Sequence, residues 1–179
     1  MGRFVRGPLG GRMGQQIPPL LRRANQMMAA GDFAGAASAL EQLARAAEAR
    51  GGPRAPFFYV QTGRARMMAG EAQPALESVE RGMGLFATRG QFGKVVSFAD
   101  RTVAEFNQRG LAKESKQIAD YVKTLVPNFE GANHLGQPKR PALPTTCPGC
   151  GAPIHPDEVD WMDEITAACA FCGTPVRGQ

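Results

Sequence analysis

The four cysteines of this 179-residue chain lie in two copies of one short motif near the C-terminus. The first copy reads CPGCGAPI at residues 147–154, and the second reads CAFCGTPV at residues 169–176. A Cys-x-x-Cys turn places two thiolates side by side, and structural zinc takes four ligands in a tetrahedral arrangement. The two motifs together supply one complete ligand set. We predict one structural Zn²⁺ ion with four thiolate ligands, Cys147, Cys150, Cys169 and Cys172.

Two other chemistries were weighed for these cysteines. CPGC alone is typical of a thioredoxin-type dithiol, but that motif follows a strand and opens a helix. Here Pro-Thr-Thr precedes it and Gly-Ala-Pro follows, and redox chemistry gives the second pair no role. A catalytic zinc keeps one position open for water, whereas four cysteines close the site. His155 is near enough in sequence to replace a ligand, but we expect it to be a surface or turn histidine.

The residues around the cysteines predict a small β unit. Gly151 and Gly173 follow the second cysteine of each motif, where glycine lets the backbone turn back. EVDWMD and ITAAC predict a hairpin that runs into the second motif. Residues 147–177 thus resemble the zinc-ribbon fold, and zinc is expected to stabilise this unit and not the helices. Trp161 could offer a platform for base stacking, but we expect it in the small hydrophobic core.

The long middle of the chain predicts helices. It is rich in Ala, Leu, Met, Gln, Glu and Arg, which are good helix formers, and its prolines stand where helices can begin. Apolar residues recur every three or four positions in residues 33–51 and again in 73–90. Two further helices fit residues 92–110 and 112–127.

An internal period connects these helices. Gly31, Gly70 and Gly110 stand in similar predicted turns, 39 and 40 residues apart. A glycine closes a helix well, and a small side chain lets two helices approach closely. The residues five positions after the three glycines are all small: Ala36, Ala75 and Ser115.

This helical segment resembles tetratricopeptide repeats, which are stacked helical hairpins. Gly63, Gly70, Ala75 and Pro127 match the family's glycine, small-residue and closing-proline positions, and Tyr59 stands near the place of its tryptophan. The resemblance implies a solenoid of about three units; a six-helix bundle without true repeats is the alternative. The predicted fold class is therefore mainly α, with antiparallel helical hairpins and a small C-terminal β zinc ribbon.

The same resemblance implies a groove for a protein partner, because the first helix of each unit lines the concave face. Asn25 matches an asparagine that holds a peptide's terminal carboxylate in some members, but Leu21 stands where those members have lysine. A mostly apolar peptide or helix, anchored by Arg64 and the asparagines, is the expected ligand. The alternative is that this face packs against the ribbon or linker of the same chain. The residues assigned to partner binding are Asn25, Met28, Phe57, Arg64, Met67 and Asn107.

The net charge of +5 is unevenly placed. Residues 1–23 carry five arginines and no acid, whereas residues 147–179 carry one arginine and five acids. A Zn(Cys)₄ centre adds a formal charge of about −2 to the ribbon. Since phosphate contacts need Lys and Arg, nucleic-acid binding by the ribbon is not expected. The basic N-terminal arm leaves open an alternative function, that of a nucleic-acid-associated zinc-ribbon protein.

The remaining features favour a binding protein over an enzyme. The two histidines and the glycine-rich stretches form no catalytic or phosphate-binding constellation. No apolar run is long enough for a membrane span, and no secretory signal is recognisable, so a cytoplasmic location is expected. We predict a non-catalytic interaction scaffold or adaptor whose groove binds a protein segment and whose ribbon is a second docking module. Its predicted parts are a flexible basic arm (1–16), a helical repeat domain (17–127), a Pro/Gly-rich linker (128–146) and a zinc ribbon (147–179).

Overall fold

The computed structural model describes residues 17–126 and 140–179, which form six helices followed by a small three-stranded sheet. The helices are α1 (Pro19–Ala30), α2 (Phe33–Ala49), α3 (Ala55–Met68), α4 (Ala72–Thr88), α5 (Phe92–Gln108) and α6 (Ala112–Leu125). The strands are β1 (Asp160–Trp161), β2 (Thr166–Ala168) and β3 (Pro175–Arg177). The fold is therefore mainly α with a small β unit, as predicted. The basic arm, Pro127 and linker residues 128–139 lie outside the described residues.

The predicted glycine turns share one geometry. Gly31, Gly70 and Gly110 have φ angles of 81°, 84° and 76°. In each turn the N–H of the next residue donates to the carbonyl five positions before it, at 2.9–3.0 Å. This bond satisfies a carbonyl that the helix end leaves free. Gly90 makes the same turn between α4 and α5, so this turn also joins two of the predicted units and is not confined to the turns within them.

The small residues that follow the glycine turns stand where two helices pack closely together. The three small residues that follow the turns are buried, at 0%, 0% and 3% exposure. A Cβ added at Gly63 of α3 would lie 2.9 Å from the carbonyl oxygen of Ala75 in α4, so the two backbones nearly touch there. Between the helices, Phe57 meets Phe86 and Phe98 edge to face, with ring centres 4.8 and 5.6 Å apart. These rings form the centre of the helical core.

The three strands form one antiparallel sheet in the order β1-β2-β3. Trp161 pairs with Ala167, which pairs in turn with Val176 on the other side. The first two strands are the hairpin predicted from EVDWMD and ITAAC. Its strands are only two and three residues long, so the sheet alone buries little apolar surface.

The C-terminal segment, residues 140–179, packs against the helices. In the described part of the chain, its hydrogen bonds to helical side chains come from α1, α3 and α5. Phe171 extends the helical core, with its ring centre 6.5 Å from that of Phe57. The C-terminal segment therefore covers the face that the odd-numbered helices present. This is the packing that the sequence left as the alternative to an open groove.

Candidate metal centre

Each cysteine motif folds into the same turn. The N–H of the glycine donates to the carbonyl of the motif's first cysteine, at 2.9 Å for Gly151 and 2.8 Å for Gly173. The N–H of that first cysteine donates to the carbonyl five residues on, at 2.8 and 3.0 Å. Both glycines have a left-handed backbone, with φ angles of 76° and 74°. The repeated sequence thus builds one half-site twice, with both cysteines of each turn on one side.

The four sulfurs converge. The Sγ atoms of Cys147 and Cys172 are 3.6 Å apart, and those of Cys150 and Cys169 are 3.9 Å apart. All four ligand atoms lie within 4.8 Å of one another, and all four residues are buried. A tetrahedron with metal–sulfur bonds of about 2.3 Å has edges of about 3.8 Å. The cysteines are free thiols with the spacing that a tetrahedral metal site requires.

The surroundings of the sulfurs favour a cation among them. Hydrogen bonds from the Cys150 and Cys169 thiols lower the pKa of Cys172, whereas hydrogen bonding to Cys169 and Cys172, with burial, raises the pKa of Cys150. The N–H of Thr174 also donates to Cys172 Sγ at 3.5 Å. Neighbouring thiols resist joint ionisation, and a divalent ion removes that resistance because it binds the thiolates directly.

His155 does not join the sulfur cluster. Its Nδ1 lies 2.9 Å from a terminal nitrogen of Arg101, and because a guanidinium only donates, Nδ1 accepts. The ring is half-buried, and burial lowers the pKa of His155. Its carbonyl accepts from the N–H of Glu158 at 3.0 Å, so His155 begins a turn, one of the two settings expected from the sequence. The histidine contacts α5 and is not a metal ligand.

Arg64 forms the central contact between the helices and the C-terminal segment. It donates to the Glu158 carboxylate from both terminal nitrogens, at 2.6 and 3.3 Å, and from Nε to Glu105 at 3.0 Å. The side chains of Arg64 and Glu158 are only 7% and 2% exposed. Burial opposes the charge, but attraction and hydrogen bonds from Glu158 and Glu105 together raise the pKa of Arg64. Arg64 thus faces the protein's own carboxylate and not solvent.

Lys94 of α5 is a functional contact that the sequence did not reveal. Its Nζ donates to the backbone carbonyls of Glu158 and Val159, at 2.7 and 3.1 Å. The same atom lies 2.8 Å from the carboxylate of Asp160. A single lysine therefore binds both main chain and side chain of the C-terminal segment.

Arg101, seven residues further along α5, completes the set of cations. It donates to the Asp157 carboxylate at 2.6 Å, in addition to its contact with His155. Its Nε lies 3.0 Å from Glu158 Oε1, but no hydrogen bond forms because the N–H is not directed at the oxygen. The acidic run that begins at Asp157 was the one sequence feature that could have indicated these contacts with α5. By itself it indicated only that the ribbon should not bind phosphates.

The other residues predicted for partner binding fall in three settings. Asn25 is buried and donates to the carbonyl of Cys150 at 2.8 Å, and Phe57 belongs to the core described above. Met28 and Met67 line a cavity of about 270 Å³ between the helices and His155. Asn107 is exposed at the surface. The structure therefore brings five of the six residues to the C-terminal segment or its edge and leaves Asn107 apart.

An apolar patch lies where the outer surface of the C-terminal segment meets the start of α5. Within the described residues, the exposed large hydrophobic side chains are Phe92, Met162 and Ile165. Two shallow cavities join them, and both are lined by Trp161 and Arg140. The Arg140 guanidinium lies 4.5 Å from the centre of the indole ring. Trp161 is thus partly buried at the edge of the core, with one side toward the patch.

Comparison with known protein families, with curated proteins and with solved structures found no match to this chain. In residues 17–126 and 140–179, no helix is long and apolar enough to cross a membrane. The functional assignment therefore rests on the geometry of the cysteine cluster and of the surfaces around it.

Proposed function

We propose that this protein is a non-catalytic interaction scaffold in which a structural Zn²⁺ ion fixes the C-terminal segment on the helices. Four buried thiols at tetrahedral spacing support zinc, because soft thiolate ligands in this geometry suit it well. Within residues 17–126 and 140–179 the site is formed by four cysteines alone, which favours a structural and not a catalytic ion. Reduced cysteines of this kind also suit a cytoplasmic protein.

The observation that carries the scaffold proposal is the apolar patch of Phe92, Trp161, Met162 and Ile165. Soluble proteins seldom expose several large apolar side chains together unless the surface binds something. Met162 is 61% exposed, and Phe92, at the start of α5, is 47% exposed. The C-terminal segment therefore acts as the docking module that the sequence suggested.

For the helices we propose a solenoid related in arrangement to tetratricopeptide repeats. The recurring glycine turns and the alternation of helices, with α1, α3 and α5 on the covered face, support this arrangement. In this proposal the concave face binds the chain's own C-terminal segment. A partner can then bind the concave face of the helices only if it displaces the C-terminal segment.

The nucleic-acid alternative has no support in the described residues. The C-terminal patch is bordered by Asp160, Asp163 and Glu164, which repel phosphates. Three of the five N-terminal arginines belong to residues 1–16, outside the described part of the chain, and the other two, Arg22 and Arg23, lie in α1.

The proposal is tested by affinity capture with the intact, zinc-loaded chain. The double variant Met162→Glu/Ile165→Glu places two charges in the patch without touching the cysteines. A matched control, Ala112→Glu/Gln117→Glu, adds the same charge on exposed positions of α6. We expect wild type and control to retain the same specific proteins and the patch variant to lose them. Identical retention by all three chains would contradict the proposal.

A further inference from the structure

We propose that the covered face of α1, α3 and α5 is a binding site for acidic polypeptide segments, and that residues 155–160 occupy it as an internal ligand until the metal is lost. This inference rests on the proposed function and adds to it the class of partner and the means of control. The site is called here the cationic face, and its members are Arg64, Lys94, Arg101, Phe57 and Phe98.

The cationic face recognises carboxylates. Arg64 binds Glu158 with two hydrogen bonds, the geometry in which an arginine distinguishes a carboxylate from other acceptors. Arg101 binds Asp157 at 2.6 Å, and Lys94 is paired with Asp160 at 2.8 Å. Three cations from two helices thus meet three carboxylates within four consecutive residues of the chain.

The cationic face also binds main-chain carbonyls and offers aromatic rings for apolar contacts. Lys94 donates to the backbone carbonyls of two consecutive residues in a turn, a contact that does not depend on their side chains. Arg64 lies 5.6 Å from the centre of the Phe98 ring, and Lys94 lies 5.8 Å from that of Phe57. Cations above aromatic rings form a surface on which a peptide can exclude water from its ion pairs. Residues 156–159 form a turn in which the N–H groups of Glu158 and Val159 donate to the carbonyl of His155. The ligand class is therefore an acidic segment that contains glutamate and can form such a turn.

The metal centre holds the internal ligand in place. Residues 155–160 lie between the second and third cysteines, so the four-sulfur site closes both ends of the loop that carries them. Asn25 and Arg22 bind the carbonyls of Cys150 and Gly149, which fixes the first turn to α1. While the site is closed, the effective concentration of the internal ligand excludes competitors.

Loss of the metal weakens this hold. A segment of about forty residues with strands of two or three residues has too small a core to keep its shape without the ion. Residues 155–160 are then joined to the helices only by flexible chain. Their effective concentration at the cationic face falls to the millimolar range that flexible linkers give. An acidic segment of another protein can then take its place.

The test uses a fluorescein-labelled peptide with the sequence of residues 153–160, PIHPDEVD, and the full chain in zinc-loaded and chelator-treated forms. Fluorescence anisotropy measures binding, and circular dichroism monitors the helices. We expect the metal-free chain to bind the peptide at least tenfold more tightly than the zinc-loaded chain. A peptide with the glutamate changed to glutamine, PIHPDQVD, is expected to bind the metal-free chain at least tenfold more weakly.

A zinc-loaded variant tests the inference even if removal of the metal unfolds the helices. Glu158→Gln weakens the internal contact and leaves the cysteines unchanged, so this chain is expected to bind the peptide while it keeps its zinc. The inference is overturned if neither the folded metal-free chain nor the Glu158→Gln chain binds the peptide, or if zinc-loaded wild type binds it equally well. These results are independent of Met162 and Ile165, so a failure here is distinct from a failure of the proposed scaffold function.

Discussion

Arg64 of α3 and Glu158 of the C-terminal segment form a buried ion pair with a closest N–O distance of 2.6 Å, although 94 residues separate them in the sequence. Both side chains are almost fully removed from solvent. A buried charge costs free energy without its partner. The pair therefore stabilises the packing of the C-terminal segment on the helices, and loss of either side chain destabilises both. The metal centre and the helical core are therefore parts of one packed structure.

Arg64→Met is expected to lower the free energy of unfolding by about 3–5 kcal/mol, because it leaves the Glu158 carboxylate buried without its main partner. The sequence alone assigned Arg64 to partner binding, and an exposed residue of that kind would contribute little to stability. Chemical denaturation of the zinc-loaded proteins measures the difference. Arg45→Met is the matched control: its pair with Glu41 is exposed, and we expect no measurable change in the free energy of unfolding.

The double variant Arg64→Met/Glu158→Met separates a buried pair from a general packing effect. It removes both charges, so we expect it to be more stable than Arg64→Met alone. If the second substitution only adds to the destabilisation, the ion pair is not the reason for the effect at Arg64.

Zinc content is expected to be one ion per chain. Cys169→Ser removes one of four converging thiolates, so this variant is expected to lose most of the bound metal. Elemental analysis after removal of affinity tags gives the stoichiometry. Wild-type protein that is free of metal and carries a stable disulfide between these cysteines would show that the site is not a zinc site.

The cysteine cluster was predictable because its signal is local. Two repeats of Cys-x-x-Cys-Gly fix two identical turns, and Gly151 and Gly173 both have the left-handed backbone that such a reversal needs. The C-terminal ends of α1 to α5 were predictable for the same reason, since a glycine with a left-handed backbone follows each of them. In both cases the structure depends on residues within a few positions of one another.

The left-handed glycine of the second motif offers a test of the turn. Gly173→Ala is expected to destabilise the protein by about 1–2 kcal/mol, because alanine is strained at a φ of 74°. The added methyl group would also collide with the guanidinium of Arg54. Gly93→Ala in α5 is the control: nothing lies within 4 Å of the new methyl, and we expect no loss of stability. Equal thermal stability of the two variants would argue against the strained turn.

Acidification is expected to weaken the contact between α5 and the C-terminal segment. Burial lowers the pKa of His155, and Arg101, Arg64, Asp157 and Glu158 surround its ring. An unfolded histidine titrates near about 6.5, so below that pH the unfolded chain binds more protons than the folded one. Stability from this group is therefore present above about pH 6.5 and lost as pH falls through the lower, folded pKa.

His155→Gln removes this titration and leaves the cysteines unchanged. We expect the free energy of unfolding of wild type to fall more steeply than that of the variant between about pH 7 and pH 6, with zinc in excess in both. Parallel curves would mean that His155 does not contribute to the pH dependence.

The sequence left open whether the groove is covered, and the contacts that cover it could not be predicted because they join distant residues. Arg64 stood on a face that the repeat resemblance assigned to a partner, and nothing near it in sequence identifies Glu158 as its neighbour. Lys94 and Arg101 are seven residues apart on α5, and the acids that they bind follow more than fifty residues later. Opposite charges on two segments indicate attraction but not which charges meet, or whether they meet in one chain.

The most direct test of the account is unfolding of the zinc-loaded chain followed by two signals at once. Far-ultraviolet circular dichroism reports on the helices, and the fluorescence of Trp161, the only tryptophan, reports on the C-terminal segment. If the metal centre and helices form one unit, the two transitions coincide, and chelation of zinc shifts the helical transition to lower denaturant. A Trp161 transition that precedes an unchanged helical transition, with or without zinc, would contradict the account.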